Sequence, residues 1–106
     1  MSGNSFLLDT NIIVYALKGL TIVKPYFEHK CYLSIISEIE LLGISEISQK
    51  ELSIRQAAVD FCTLIPLSNN IKEKAIKLKQ HFKVKLPDAI IAATAIYEGL
   101  AFVTVE

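Results

Sequence analysis

Phe6-Leu7-Leu8-Asp9-Thr10-Asn11-Ile12-Ile13-Val14-Tyr15-Ala16-Leu17 decides the reading of this chain. An apolar run stops at a carboxylate, and after Thr10 and Asn11 a second apolar run begins with helical spacing. This is the pattern of a buried strand that delivers one acid to the edge of a sheet, where a helix starts. An acid so placed is costly to desolvate and calls for a partner: a metal ion, a cationic side chain or a ring of donors. Asp is also a favoured helix N-cap, so Asp9 has a plain structural alternative.

Outward from this stretch, element types alternate. A strand is expected over Ser5 to Leu8 and a helix over Thr10 to Leu17, closed by Gly19. Thr21 to His29 reads as a second short helix, with Pro25 fitting only near its first turn. Cys31 to Ile35 reads as the second strand, after which Ser37 is expected to cap a short helix over Glu38 to Leu42, ended by Gly43. Ser48-Gln49-Lys50-Glu51 has capping-box spacing and opens a helix running to about Phe61. Thr63 to Leu67 is a third strand, and Pro66 places it at the sheet edge.

Ile71, Ala75, Leu78 and Phe82 form a helical core stripe after a Ser68-Asn69-Asn70 start. Pro87 opens the next helix with Asp88 in its first turn, Gly99 ends it, and Ala101 to Thr104 is a last strand. Alternating strands and helices predict an α/β fold: a central parallel sheet of about four strands with helices on both faces.

Composition bounds the function. The 106 residues suit one compact domain; 52% are hydrophobic, and eleven Lys and Arg balance eleven Asp and Glu. A net charge near zero excludes a nucleic-acid binder that works by bulk positive charge, though not a local basic patch. The longest apolar runs, such as Ala89 to Tyr97, are too short to span a bilayer, and nothing resembles a signal peptide. Cys31 and Cys62 lack metal-ligand spacing, so two free buried thiols in a reducing cytoplasm are expected.

Asp9, Glu40, Asp88 and Glu106 each fall at or beside a strand-to-helix junction or the end of a strand. In an open parallel sheet those positions lie along the carboxyl edge, where distant acids converge. Ionised carboxylates crowd together only when cations neutralise them, and all-oxygen sites suit Mg²⁺ or Mn²⁺. Such an ion activates water and stabilises charge on a phosphodiester without a catalytic His. Each acid has a bland alternative. Asp88 complements the helix dipole, Glu40 shares its helix with Glu38, and Glu106 is terminal.

These residues carry a resemblance. Asp9-Thr10-Asn11 after an apolar strand, Ser37-Glu38-Ile39-Glu40-Leu41-Leu42-Gly43 after the second, and Leu86-Pro87-Asp88-Ala89-Ile90-Ile91-Ala92-Ala93-Thr94-Ala95 before Phe102-Val103-Thr104 resemble a PIN domain. The nearest type is the VapC-like toxin ribonuclease. The resemblance implies a PIN-like fold over residues 1–106 and metal-dependent hydrolysis of RNA. It makes Asp9, Glu40 and Asp88 ligands of Mg²⁺ or Mn²⁺, with Thr10, Asn11 and Thr104 in support. It selects Glu40 over Glu38, because the family's acid is followed directly by Leu and a small turn. It also implies a small antitoxin protein as partner, a homodimer and a cytoplasmic location.

The departure lies at the C-terminal end. Family members continue past the Thr104 position through a short acidic loop into a further helix and strand, whereas here only Val105 and Glu106 follow. The acidic loop and last strand are thus expected to be missing, with Glu106 as substitute for a fourth carboxylate. A PIN-fold binding or scaffold protein with impaired catalysis is the alternative. A haloacid-dehalogenase-type phosphatase would need a second Asp where Asn11 stands, and a receiver domain would need paired acids after the first strand.

Basic residues bear on substrate. Lys72, Lys74, Lys77, Lys79, Lys83 and Lys85 supply six of the eleven Lys and Arg, opposed only by Glu73. Lys72, Lys79, Lys83 and Lys85 read as a phosphate-contacting rim beside Asp88. A solvated helix face is the alternative, with the lysine stems covering apolar surface. Residues 12–17 are apolar on more than one face, which suits burial against a second subunit or a fully covered core helix.

Overall fold

Leu7 and Leu8 are both fully buried although they point to opposite faces of one strand, so both faces of that strand must be covered. The computed structural model describes residues 4–104 and shows how. Strands β1 (Ser5–Leu8), β2 (Lys30–Ser34), β3 (Thr63–Ile65) and β4 (Ala101–Val103) form a parallel sheet in the order β3-β2-β1-β4. One side carries α1 (Thr10–Leu17), a 3-10 helix (Thr21–Glu28), α2 (Ile35–Leu42) and α3 (Gln49–Phe61). The other carries α4 (Asn69–His81) and α5 (Leu86–Glu98).

Two apolar cores follow from the strand pleat. Leu8, Cys31, Leu33 and Val103 meet Ile12, Ile13, Leu41 and Val59 on the first face. Leu7 and Ile65 meet Ile71, Ala75, Ala89 and Ile91 on the second. The register pairs Tyr32 with Thr63, so Cys31 and Cys62 stand side by side one residue earlier. Both are free and buried, as expected. Burial, and secondarily the neighbouring Cys31, pushes the Cys62 thiol up to about 12.

Several elements start and stop where local chemistry dictates. Ser48 caps α3 by accepting the Glu51 N–H at 3.0 Å. Gly99 ends α5 in the left-handed region at φ 67°, which disfavours any residue with a Cβ. At Gly43 a Cβ would lie 2.6 Å from the Ile39 carbonyl oxygen, so only glycine fits the turn after α2. Pro66 directly follows edge strand β3.

Three local expectations need correction. The cap of α2 is Ser34, whose Oγ accepts the Ile36 N–H at 3.1 Å, and Ser37 lies inside the helix. The helix begins as soon as β2 ends, at Ile35, the residue expected to close the strand. Phe82 is 65% exposed and not a core residue. Helix α4 stops at His81 and Phe82 takes extended backbone, so the helical period no longer governs its direction. The short helix expected over Thr21 to His29 is present as a 3-10 helix over Thr21–Glu28, but Pro25 sits in its middle and not in its first turn.

Candidate functional site

Chain order fixes where a site belongs. From β1 the chain winds through β2 to β3 on one side, then returns past β1 to place β4 on the other. The crossovers therefore diverge between β1 and β4, and in open α/β sheets a crevice forms at the carboxyl ends of such a strand pair. Asp9 and Thr104 are the residues immediately after those two strands. The Asp9 N–H donates to the Val103 carbonyl oxygen at 2.9 Å, extending the β1–β4 pairing up to the acid itself.

Both Asp9 oxygens are held. Oδ1 accepts the Thr10 N–H at 2.8 Å, which makes Asp9 the N-cap of α1. Oδ2 accepts the Thr104 hydroxyl at 2.8 Å across 95 residues of sequence. The capping alternative is thus realised, yet it occupies only one oxygen.

Asp88 arrives from the other face. Pro87 lies in the first turn of α5, and Asp88 follows it there, exposed. Asp9, Asn11, Asp88 and Thr104 line one open cleft of about 430 Å³, floored by Val84, Ile91, Ala92 and Phe102. Glu40 approaches from α2, where its Oε1 lies 2.6 Å from Thr10 Oγ1. Thr10 Oγ1 is also 2.8 Å from the buried Ser37 Oγ. Glu38, two residues before Glu40, has no side-chain hydrogen bond among the described residues.

The structure thus brings Asp9, Asn11, Asp88 and Thr104 together and ties Glu40 to the same junction through Thr10. It does not draw three acids into contact. Among the described residues, no group of three or more His, Cys, Asp or Glu is close enough to hold a metal ion. The donor chemistry nonetheless fits a hard cation. The cleft offers two carboxylates, an amide and a hydroxyl, and Mg²⁺ is commonly held by one or two carboxylates with water completing its shell. Glu106 lies outside the described residues.

The lysines divide. Lys72 and Lys79 flank a separate apolar groove with Leu67, Ile76, Leu86 and Ile90. The Lys79 ammonium donates to the Val84 carbonyl oxygen at 2.8 Å, fastening α4 to the loop before α5. Lys83 and Lys85 are exposed and flank Val84, which lines the acidic cleft. In the sequence Ser37 stands as the expected cap and as the first residue of the second PIN-like motif, with no site role of its own. Its spacing of three from Glu40, which puts both on one helical face, was the available signal.

Solved structures match over nearly the whole chain. A chain of a toxin–antitoxin complex from Klebsiella pneumoniae is 31% identical with a TM-score of 0.81, covering 94% of this chain and 85% of that one. The VapBC2 structure from Rickettsia felis, bound to a DNA fragment from its promoter, matches at 23% identity and TM-score 0.85, covering 96% and 87%. The DNA-bound VapBC from Salmonella typhimurium matches at 18% identity and TM-score 0.76, covering 92% and 83%. The last two likenesses establish the fold alone. Comparison with curated proteins gives no match. The sequence matches the PIN domain over residues 6–106, and so the chain belongs to the PIN domain family.

Proposed function

We propose that this protein is a metal-dependent endoribonuclease and the toxin of a toxin–antitoxin pair. The observation that carries the reading is the shared cleft. Asp9 at the β1–β4 divergence and Asp88 from the opposite face line it together, beside Asn11 and Thr104. Asp9 and Asp88 would hold Mg²⁺ or Mn²⁺, with Glu40 at the rim. When bound, such an ion neutralises the acids, lowers the pKa of water and stabilises charge on a phosphodiester.

The chain's own residues do the positioning. Thr104 and the Thr10 N–H leave the Asp9 carboxylate little freedom to turn. Asn11 presents an amide within the same cleft, able to donate to a phosphate oxygen. Lys83 and Lys85 offset phosphate charge on either side of Val84, which suits an anionic polymer on a protein of zero net charge.

A protein partner is supported by the Klebsiella pneumoniae relative, solved as a toxin–antitoxin complex. The exposed apolar side chains Leu20, Ile22 and Phe61 fit burial in an assembly, whether with an antitoxin or in a homodimer. No helix among the described residues is long and apolar enough to cross a membrane. The test is cleavage of labelled RNA with Mg²⁺ or Mn²⁺ by the parent chain and by Asp9→Asn. Cleavage abolished in the variant is expected; undiminished cleavage removes the assignment.

A further inference from the structure

Ser37 has no exposed surface and lies one turn before Glu40 on α2. A serine inside a helix commonly bonds the carbonyl one turn back. Thr94 does the equivalent in α5, donating to the Ile90 carbonyl oxygen at 2.7 Å. Ser37 instead reaches Thr10 Oγ1, 27 residues away in sequence, at 2.8 Å. The same Thr10 oxygen stands 2.6 Å from Glu40 Oε1.

Counting protons gives this arrangement a direction. The Thr10 hydroxyl has one hydrogen to give, and a carboxylate has none. Thr10 therefore donates to Glu40, and Ser37 donates to Thr10. Each bond in such a chain polarises the next, so a hydroxyl that accepts from Ser37 is a stronger donor to Glu40. Glu40 is exposed on a long side chain, and among the described residues no other side chain holds its carboxylate. Without the buried anchor, the Thr10 hydroxyl would be free to rotate and Glu40 free to swing into solvent.

We propose that Ser37 is a positioning residue that acts through Thr10 to hold the Glu40 carboxylate beside Asp9. This rests on the reading of Asp9, Glu40 and Asp88 as a divalent-metal nuclease site. Ser37 itself touches neither substrate nor ion; its contribution is the orientation of an acid two hydrogen bonds away.

The experiment is a double-mutant cycle read by Mn²⁺ calorimetry and by single-turnover RNA cleavage on the same purified proteins. Removing a partner in the outer shell of a metal site costs roughly tenfold or more, so Ser37→Ala and Thr10→Val should each weaken Mn²⁺ binding and cleavage by about tenfold. Ser37→Cys keeps the branching with a slightly larger atom but donates weakly, and should fall between parent and Ser37→Ala. In the Thr10→Val background the Ser37→Ala change should add less than about twofold, because its route is already cut.

Equal Ser37→Ala penalties with and without the Thr10 hydroxyl would overturn the proposal, since a packing defect does not depend on Thr10. Parent-like Mn²⁺ affinity and cleavage in Ser37→Ala would overturn it too, leaving the nuclease reading intact. A parent chain that neither binds Mn²⁺ nor cleaves RNA removes the nuclease reading and this inference with it.

Discussion

Replacing Thr104 by Val separates holding the fold together from holding the site together. The two side chains are close to isosteric, so the change deletes one hydrogen bond and little else. The Thr104 hydroxyl donates to Asp9 Oδ2 at 2.8 Å, joining the ends of β4 and β1. A hydrogen bond to a charged group contributes roughly 1.5–3 kcal/mol when buried. Thr104 is exposed and Asp9 only half-buried, so water substitutes for much of the lost donor. About 0.5–1 kcal/mol of stability is therefore expected to go, or roughly 2–6 °C in Tm for a chain of this size. That leaves the protein folded at 25 °C, because a domain this long carries about 5–15 kcal/mol of stability.

Cleavage should respond more steeply. Asp9 keeps the Thr10 N–H on one oxygen but loses what fixes the other, and losing such support for a metal ligand typically costs about tenfold in activity or more. The assay is single-turnover cleavage of fluorescent RNA in Mn²⁺, beside a thermal melt of the same preparation. A fall in Tm with unchanged cleavage would refute the reasoning, making the Thr104 hydroxyl a structural tie only. Unchanged values in both would show that the bond is not made in solution.

Three further outcomes are expected. Glu40→Gln should lower cleavage by roughly 100-fold if Glu40 acts with the metal site, while Glu38→Gln stays within about twofold; the reverse order would move the acid to Glu38. Leu33→Ala, at a fully buried position on an interior strand, should cost about 3–5 kcal/mol in urea denaturation. A loss below about 1 kcal/mol would contradict the packing of the first core. The Cys62 thiol, raised by burial from 9.0 to about 12, keeps its proton in the folded chain while the unfolded chain ionises. Its contribution is complete below pH 9.0 and declines as pH rises from there toward about 12, so the alkaline fall in urea midpoint should be shallower in Cys62→Ala. Equal slopes would show that Cys62 titrates normally.

Legibility in the sequence tracked the range of the interactions concerned. The β1–α1 junction, the Ser48 cap of α3 and the Gly99 stop of α5 matched expectation because each is set within a few residues. Ser37 was misread for the same reason. Directly after the apolar pair Ile35-Ile36 it has the look of a cap, and only the approach of α1 reveals its bond to Thr10. Phe82 continued a helical period that the backbone had already left.

The site was legible in part. The parallel sheet was predicted, but the order β3-β2-β1-β4 was not. That order, set by contacts across the whole chain, makes Asp9 and Thr104 neighbours. The lysine cluster likewise looked continuous in sequence, whereas the end of α4 separates Lys72 and Lys79 from Lys83 and Lys85.

The central claim is that Asp9 and Asp88 together hold the ion that an RNA-cleaving site needs. Anomalous diffraction at the manganese edge, from crystals soaked in Mn²⁺, tests it most directly. A peak in the cleft between the Asp9 and Asp88 carboxylates is the predicted result, lost in Asp9→Asn. A cleft without a peak in the soaked parent crystals, or a peak retained without the Asp9 carboxylate, would contradict it.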